Sequence, residues 1–196
     1  EEYTLVSVAD YVLSVKPGPT VSNLSSSRAL RDVTEAHGCT YTASAVGEVN
    51  VTTEMKRTGA VIGGEGNGGV IVPDLHYGRD ALIGTALFLS SLVKSGKKVT
   101  EVRASLPQYV ISKNRIELSD RSLIEKILGE IKKRYASERI TDIDGVKIDF
   151  DRDRMWVHLR KSNTEPIIRV YSEAADEAAA ERIAAEVIGI AREIIG

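Results

Sequence analysis

The rhythm of apolar residues changes once, near Leu106-Pro107, and that change limits the chain to two unlike domains. Ahead of it, short apolar strands alternate with helical spacings. Leu5, Val8, Ala9, Val12 and Leu13 repeat at helical intervals over 4–15, and Lys16-Pro17-Gly18 stops that helix. Strands at 20–24, 40–46 and 60–63, and a short one after residue 69, are interleaved with helices at 27–37, 50–57 and beyond Asp80, which is placed as an N-cap. Strands alternating with helices imply a mainly parallel mixed sheet with helices on both faces. The expectation is a three-layer α/β domain over 1–107.

Past the change, Tyr109–Leu118 reads as one long strand. Residues 120–135 read as an amphipathic helix with Leu123, Ile124, Ile127, Leu128 and Ile131 on one face. Strands near 143–150, 154–160 and 167–173 follow, joined by polar turns. A last helix from Asp176 carries Ile183, Val187, Ile190 and Ile194. This β-α-β-β-β-α order predicts an α+β domain over 108–196, an antiparallel sheet with its helices on one face.

Charge excludes one class of partner. The net charge is −2, spread almost evenly over the two halves, so the chain is no polycationic nucleic-acid binder. Cys39 is the single cysteine, which rules out an internal disulfide and fits a reducing, cytoplasmic setting. The most apolar segment, Ala81–Val93, is too short to span a bilayer. It reads as a buried helix, and no membrane partner is expected.

Two loops carry chemistry. Arg160-Lys161-Ser162-Asn163-Thr164-Glu165-Pro166, followed by Arg169, gathers guanidiniums, hydroxyls, an amide and turn N–H groups that can all donate to one oxyanion. Arginine forks match phosphate oxygens in pairs. Ser-Asn-Thr-Glu-Pro is also ordinary turn chemistry. Arg160 ends one strand and Arg169 lies in the next, so both can converge on the turn. The second loop is Gly63-Gly64-Glu65-Gly66-Asn67-Gly68-Gly69. It contains G-x-G-x-x-G, but Val70-Ile71-Val72-Pro73 follows as a strand where a dinucleotide fold needs a helix, so that reading is rejected. Either it is a plain hairpin, or Glu65 and Asn67, each between glycines, recognise hydroxyl groups such as those of a sugar.

Other candidates fall to simpler readings. Asp149-Phe150-Asp151-Arg152-Asp153-Arg154 spaces acids like a metal loop, yet Arg154 and Arg160 stand where an EF-hand needs glycine and glutamate. It reads as a solvated turn. Ser44, in Thr42-Ala43-Ser44, has no histidine near in sequence to act as base. His158 shares a strand face with Trp156 and Arg160 and is read as packing beside the basic loop.

Together, Gly64-Glu65-Gly66-Asn67-Gly68-Gly69 and Arg160-Lys161-Ser162-Asn163-Thr164-Glu165-Pro166, with Tyr77-Gly78-Arg79-Asp80 ahead of a helix, resemble the α-D-phosphohexomutases: phosphoglucomutase, phosphomannomutase and phosphoglucosamine mutase. The resemblance covers the chain end to end and matches it to the third and fourth of the family's four domains. It implies that Gly64, Glu65, Gly66, Asn67 and Gly68 contact sugar hydroxyls, and that Arg160, Ser162, Asn163, Thr164 and Arg169 hold the phosphate that is not being transferred. Asn67 stands where many relatives have serine, Gly69 and Glu48 where bacterial relatives have histidine, and Ser25 where they carry lysine. These departures point to a different subfamily.

The resemblance also implies what lies elsewhere. The family's phosphoserine belongs to its first domain and its Mg²⁺ loop to the second, so no catalytic residue and no metal ligand is expected in this chain. The expected partners are a hexose phosphate and the N-terminal domains of the same protein, with a hexose 1,6-bisphosphate as intermediate. The whole protein is then an isomerase and this part alone is inactive. The alternative is a stand-alone sugar-phosphate binding module.

Overall fold

A computed structural model describes residues 2–118, 120, 122–162 and 165–195. The chain divides into two compact units, one ending at Gln108 and the other beginning at Tyr109.

The first unit runs α1 (Glu2–Val15), β1 (Thr20–Asn23), α2 (Ala29–Ala36), β2 (Tyr41–Ser44), α3 (Glu48–Thr58), β3 (Ile62–Glu65), β4 (Gly69–Ile71), α4 (Ala81–Ser95) and α5 (Val99–Ser105). Its sheet has the order β2-β1-β3-β4, with β1 parallel to β2 and β3, and β4 antiparallel to β3. Both β1 and β3 are buried along their whole length, as strands covered on both faces must be. The two layers can be read at adjacent glycines. A Cβ on Gly63 would meet Met55 of α3, and one on Gly64 would approach Leu5 of α1, so the two helices cover opposite faces. Thr20 Oγ1 and Thr34 Oγ1 share a 2.7 Å hydrogen bond, which ties α2 to the α1 side.

Two features of this unit depart from the sequence reading. The short helix α5 has no counterpart in it. Helix α4 forms where expected, with Asp80 Oδ1 accepting from the N–H groups of Leu82 and Ile83 at 2.9 and 3.0 Å. It is not buried. Gly84 alone is buried, against Val70 of β4, because α4 packs with one side on α1 and the β4 edge, where Ile83, Leu87 and Leu92 are half-buried, and leaves its other side open.

The second unit runs β5 (Val110–Glu117), α6 (Leu123–Arg134), β6 (Arg139–Thr141), β7 (Val146–Phe150), β8 (Met155–Lys161), β9 (Ile167–Ala174) and α7 (Glu177–Ile195). The sheet order is β5-β9-β8-β7-β6, antiparallel throughout. Ile127 and Ile131 of α6 and Val187 and Ile190 of α7 pack with Ile148, Val157, Leu159, Ile168 and Val170, so both helices cover one face. Strand β6 was missed in the sequence. It has three residues, too few for a period to register, and Gly145 at φ 77° breaks the expected 143–150 strand into turn and strand. Among the described residues no helix is long and apolar enough to cross a membrane.

Candidate functional site

In the first unit, β3 and β4 form a hairpin with Glu65 paired to Gly69, and Gly66, Asn67 and Gly68 make its turn. Gly64 allows the close approach. A Cβ there would stand 1.9 Å from the Gly69 carbonyl oxygen. Gly68 takes φ 87°, a conformation open to glycine. The Gly66 N–H donates to Ser26 Oγ at 2.9 Å, and Asn67 Oδ1 accepts from the Gly69 N–H at 3.2 Å, which leaves the exposed Asn67 at the tip.

Glu65 is not the free-standing side chain that its glycine neighbours suggest. It is 5% exposed, and its Oε1 accepts from Asn23 Nδ2 at 2.8 Å and from the Gly47 N–H at 3.2 Å. Arg79 Nη1 lies 4.0 Å from Oε2. The same arginine donates through its backbone N–H and Nε to Glu48, at 3.1 and 2.7 Å, and lies across Gly69. These two bonds, the backbone one foremost, hold the Glu48 carboxyl below its usual range. His76 Nε2 meets Asp80 at 3.1 Å, beside the α4 cap. The result is a hairpin pinned at its base by a buried carboxylate, with a basic side chain alongside.

In the second unit, Arg160 and Arg169 are direct cross-strand partners on the face turned away from the helices. The register adds a third cation, because Arg115 of β5 stands directly opposite Arg169. Like charges placed opposite one another repel, and each arginine here has one carboxylate neighbour. Arg160 lies 3.5 Å from Asp144, Arg169 3.8 Å from Glu165 and Arg115 3.0 Å from Glu117. Ser162 starts the turn: its N–H donates to the Ile167 carbonyl at 3.0 Å and its Oγ accepts from the Glu165 N–H at 3.3 Å. Asn163 and Thr164 lie outside the described residues.

His158 sets one wall of this row. Burial lowers its pKa to about 4, with the Lys147 and Arg160 charges adding to the shift. The neutral ring donates from Nε2 to the Asp144 carbonyl at 2.7 Å, and so anchors the turn whose carboxylate faces Arg160. The acidic run 149–154 serves structure. Asp149 and Asp151 both pair with Arg139, at 3.2 and 2.7 Å, and among the described residues no three His, Cys, Asp or Glu side chains gather to hold a metal. Ser44 is buried, with its Oγ donating to the Ala45 carbonyl.

Residues 1–109 match the family model described as phosphoglucomutase/phosphomannomutase, alpha/beta/alpha domain III, and residues 93–190 match that of the C-terminal domain. The chain belongs to the phosphoglucomutase/phosphomannomutase family. A phosphoglucomutase/phosphomannomutase of Thermococcus kodakarensis is 38% identical over 179 residues, 89% of this chain and 38% of that protein. A probable phosphoglucosamine mutase of Methanopyrus kandleri is 32% identical, over 91% of this chain and 39% of its own length. The chain thus spans about two fifths of the curated relatives it matches. A solved phosphoglucomutase/phosphomannomutase family protein from Burkholderia thailandensis shares the fold with a TM-score of 0.80 at 24% identity, over 98% of this chain and 41% of that one. Aspergillus fumigatus N-acetylphosphoglucosamine mutase, solved with GlcNAc-6P and magnesium, does so with a TM-score of 0.71 at 15% identity, over 100% of this chain and 44% of its own.

Within this phosphohexomutase frame, Arg115 is the residue that sequence reasoning passed over. Its signal was the alternation of Lys113, Arg115 and Glu117 along one face of a strand. Only the β5–β9 register shows that this face continues the arginine row.

Proposed function

We propose that this chain is the substrate-holding half of a phosphohexomutase that interconverts hexose 1-phosphate and hexose 6-phosphate. The reaction runs through a phosphoserine enzyme and a bisphosphorylated sugar, with the phosphoserine and the Mg²⁺ loop outside these residues. The observation that carries the reading is the match of one family's third and C-terminal domains, in order, along nearly the whole chain.

In this reading the Glu65 carboxylate and the Asn67 amide accept and donate hydrogen bonds to sugar hydroxyls, on a turn whose backbone Gly64, Gly66 and Gly68 keep clear. A carboxylate has about four acceptor sites, so the bonds from Asn23 and Gly47 leave capacity for a ligand. Arg160, Ser162, Asn163, Thr164 and Arg169 hold the phosphate that is not reacting. The bisphosphorylated sugar turns around between the two transfers, so both loops accept either end of it. Phosphoryl transfer depends on positioning and on stabilised charge, and these residues act on rate through geometry. A Mg²⁺ bound elsewhere in the whole enzyme would supply charge stabilisation for phosphoryl transfer. The described residues do not fit it, since Asp149 and Asp151 are committed to Arg139.

The test is turnover. The longer protein containing this chain should interconvert hexose 1- and 6-phosphates, and the 196-residue chain should bind hexose phosphate without turning it over. Turnover by the isolated chain would refute the assignment of the chemistry to other residues. A gene that encodes no more than this chain would make it a binding module instead.

A further inference from the structure

Helix α4 presents a surface that unit one leaves uncovered. It carries no charged side chain before Lys94 in its last turn, and Gly84 is its single buried residue. Apart from the hydroxyls of Thr85, Ser90 and Ser91 its first three turns are apolar, and a helix so poor in polar groups belongs to the interior of a larger protein. Leu82, Ala86, Leu89 and Val93 recur at i, i+4, i+7 and i+11 and form one stripe, about 17 Å long at the helical rise. All four are exposed, with Leu82 at 85%, Leu89 at 54% and Val93 at 83%. Scattered exposed leucines are ordinary, but a continuous apolar stripe marks a contact surface.

The stripe continues into a cleft of about 400 Å³ between α1, α4 and α5, lined by Tyr3, Phe88, Leu89, Val99, Val102 and Leu106. Leu89 belongs to both stripe and cleft, and Val99 on the far rim is 54% exposed. Ridge and socket lie side by side. The four stripe residues carry no charge, and the one charged residue lining the cleft, Arg103, lies over the Tyr3 ring. Surfaces this poor in charge resemble a core cut in half, the hallmark of permanent interfaces.

The occupant follows from length. The curated relatives are matched over only 38% and 39% of their length, so most of each lies outside the region this chain covers. We propose that the α4 stripe and its cleft seat an apolar face of a further domain of the same polypeptide, one outside these 196 residues. The proposal rests on reading the chain as the C-terminal half of a mutase.

Thiol labelling tests it. Leu82→Cys and Leu89→Cys are made separately in a Cys39→Ser background, in the isolated chain and in the full-length gene product. Maleimide labelling rates are then compared, with circular dichroism to confirm the fold. The expected result is rapid labelling of the isolated chain and labelling at least ten-fold slower in the longer protein. Equal rates in the two would overturn the docking surface while leaving the mutase reading intact. Protection in the isolated chain that grows with its concentration would make a second copy the occupant and overturn the proposal. A gene product no longer than this chain would remove both readings at once.

Discussion

Arg160 and Arg169 face each other directly across β8 and β9, on the side of the sheet that carries no helix, and Arg115 extends the pair into a row of three. Cross-strand like charges cost stability, so a row of this kind gains most when an anion joins it.

Replacing Arg160 or Arg169 by alanine should weaken hexose-phosphate binding by about 1.5–3 kcal/mol, the range for a hydrogen bond to a charged group. Arg115→Ala should weaken it less, because Arg115 stands at the β5 edge of the row beyond Arg169. Calorimetric titration measures all three, and thermal melts of the free protein should show little loss. Unchanged affinity in Arg160→Ala would remove the phosphate assignment.

Glu65 separates structure from binding. Glu65→Ala strands the buried Asn23 amide and the Gly47 N–H, at a cost of about 1–3 kcal/mol in unfolding free energy. Glu65→Gln keeps an oxygen to accept those bonds and should stay close to wild type in a denaturant melt. It should still bind sugar phosphate more weakly if the carboxylate accepts from a hydroxyl. Equal affinity in Glu65→Gln would point to a purely structural role.

His158 makes stability depend on pH. Its folded pKa, about 4, lies below the unfolded value near 6.5. Between those values the unfolded chain holds the extra proton, so stability falls as pH drops through the window and is unaffected above it. The full penalty is about 3 kcal/mol at acid pH. Melting temperatures at pH 7 and pH 5 should differ less in His158→Gln than in wild type. The upper part of the window is the cleanest, since carboxylates begin to titrate below it. An unchanged difference would mean that another group carries the pH dependence.

Gly64 and Gly68 should respond differently to alanine. At Gly68 an added Cβ meets nothing within 4 Å, so the cost is the left-handed backbone alone, roughly 1–2 kcal/mol. At Gly64 the Cβ would collide with the Gly69 carbonyl, and the β3–β4 pairing must open. Chemical denaturation should rank Gly64→Ala as clearly the less stable. The reverse order would contradict the hairpin geometry.

Much of the fold was legible in the chain. Periodicity located α1, α6 and α7, the parallel core strands and the antiparallel second half, because burying an apolar face requires that spacing. Leu5, Ile127 and Val187 all lie in the core where their spacing puts them. Strand β6 and helix α5 escaped, being too short for a period to emerge. The two loops were legible as sequence, since glycine runs and clustered arginines are unusual compositions with a direct chemical meaning.

By itself, then, the sequence determined the fold class of each half, the family resemblance and the two loops, all of which depend on local spacing and residue type. Tertiary structure alone decided that Glu65 is pinned by Asn23 and Gly47, that Arg115 joins Arg160 and Arg169, and that α4 lies open. Each of these depends on residues far apart in the chain, brought together by strand register or left apart at a sheet edge. Local propensity carries no information about such pairings.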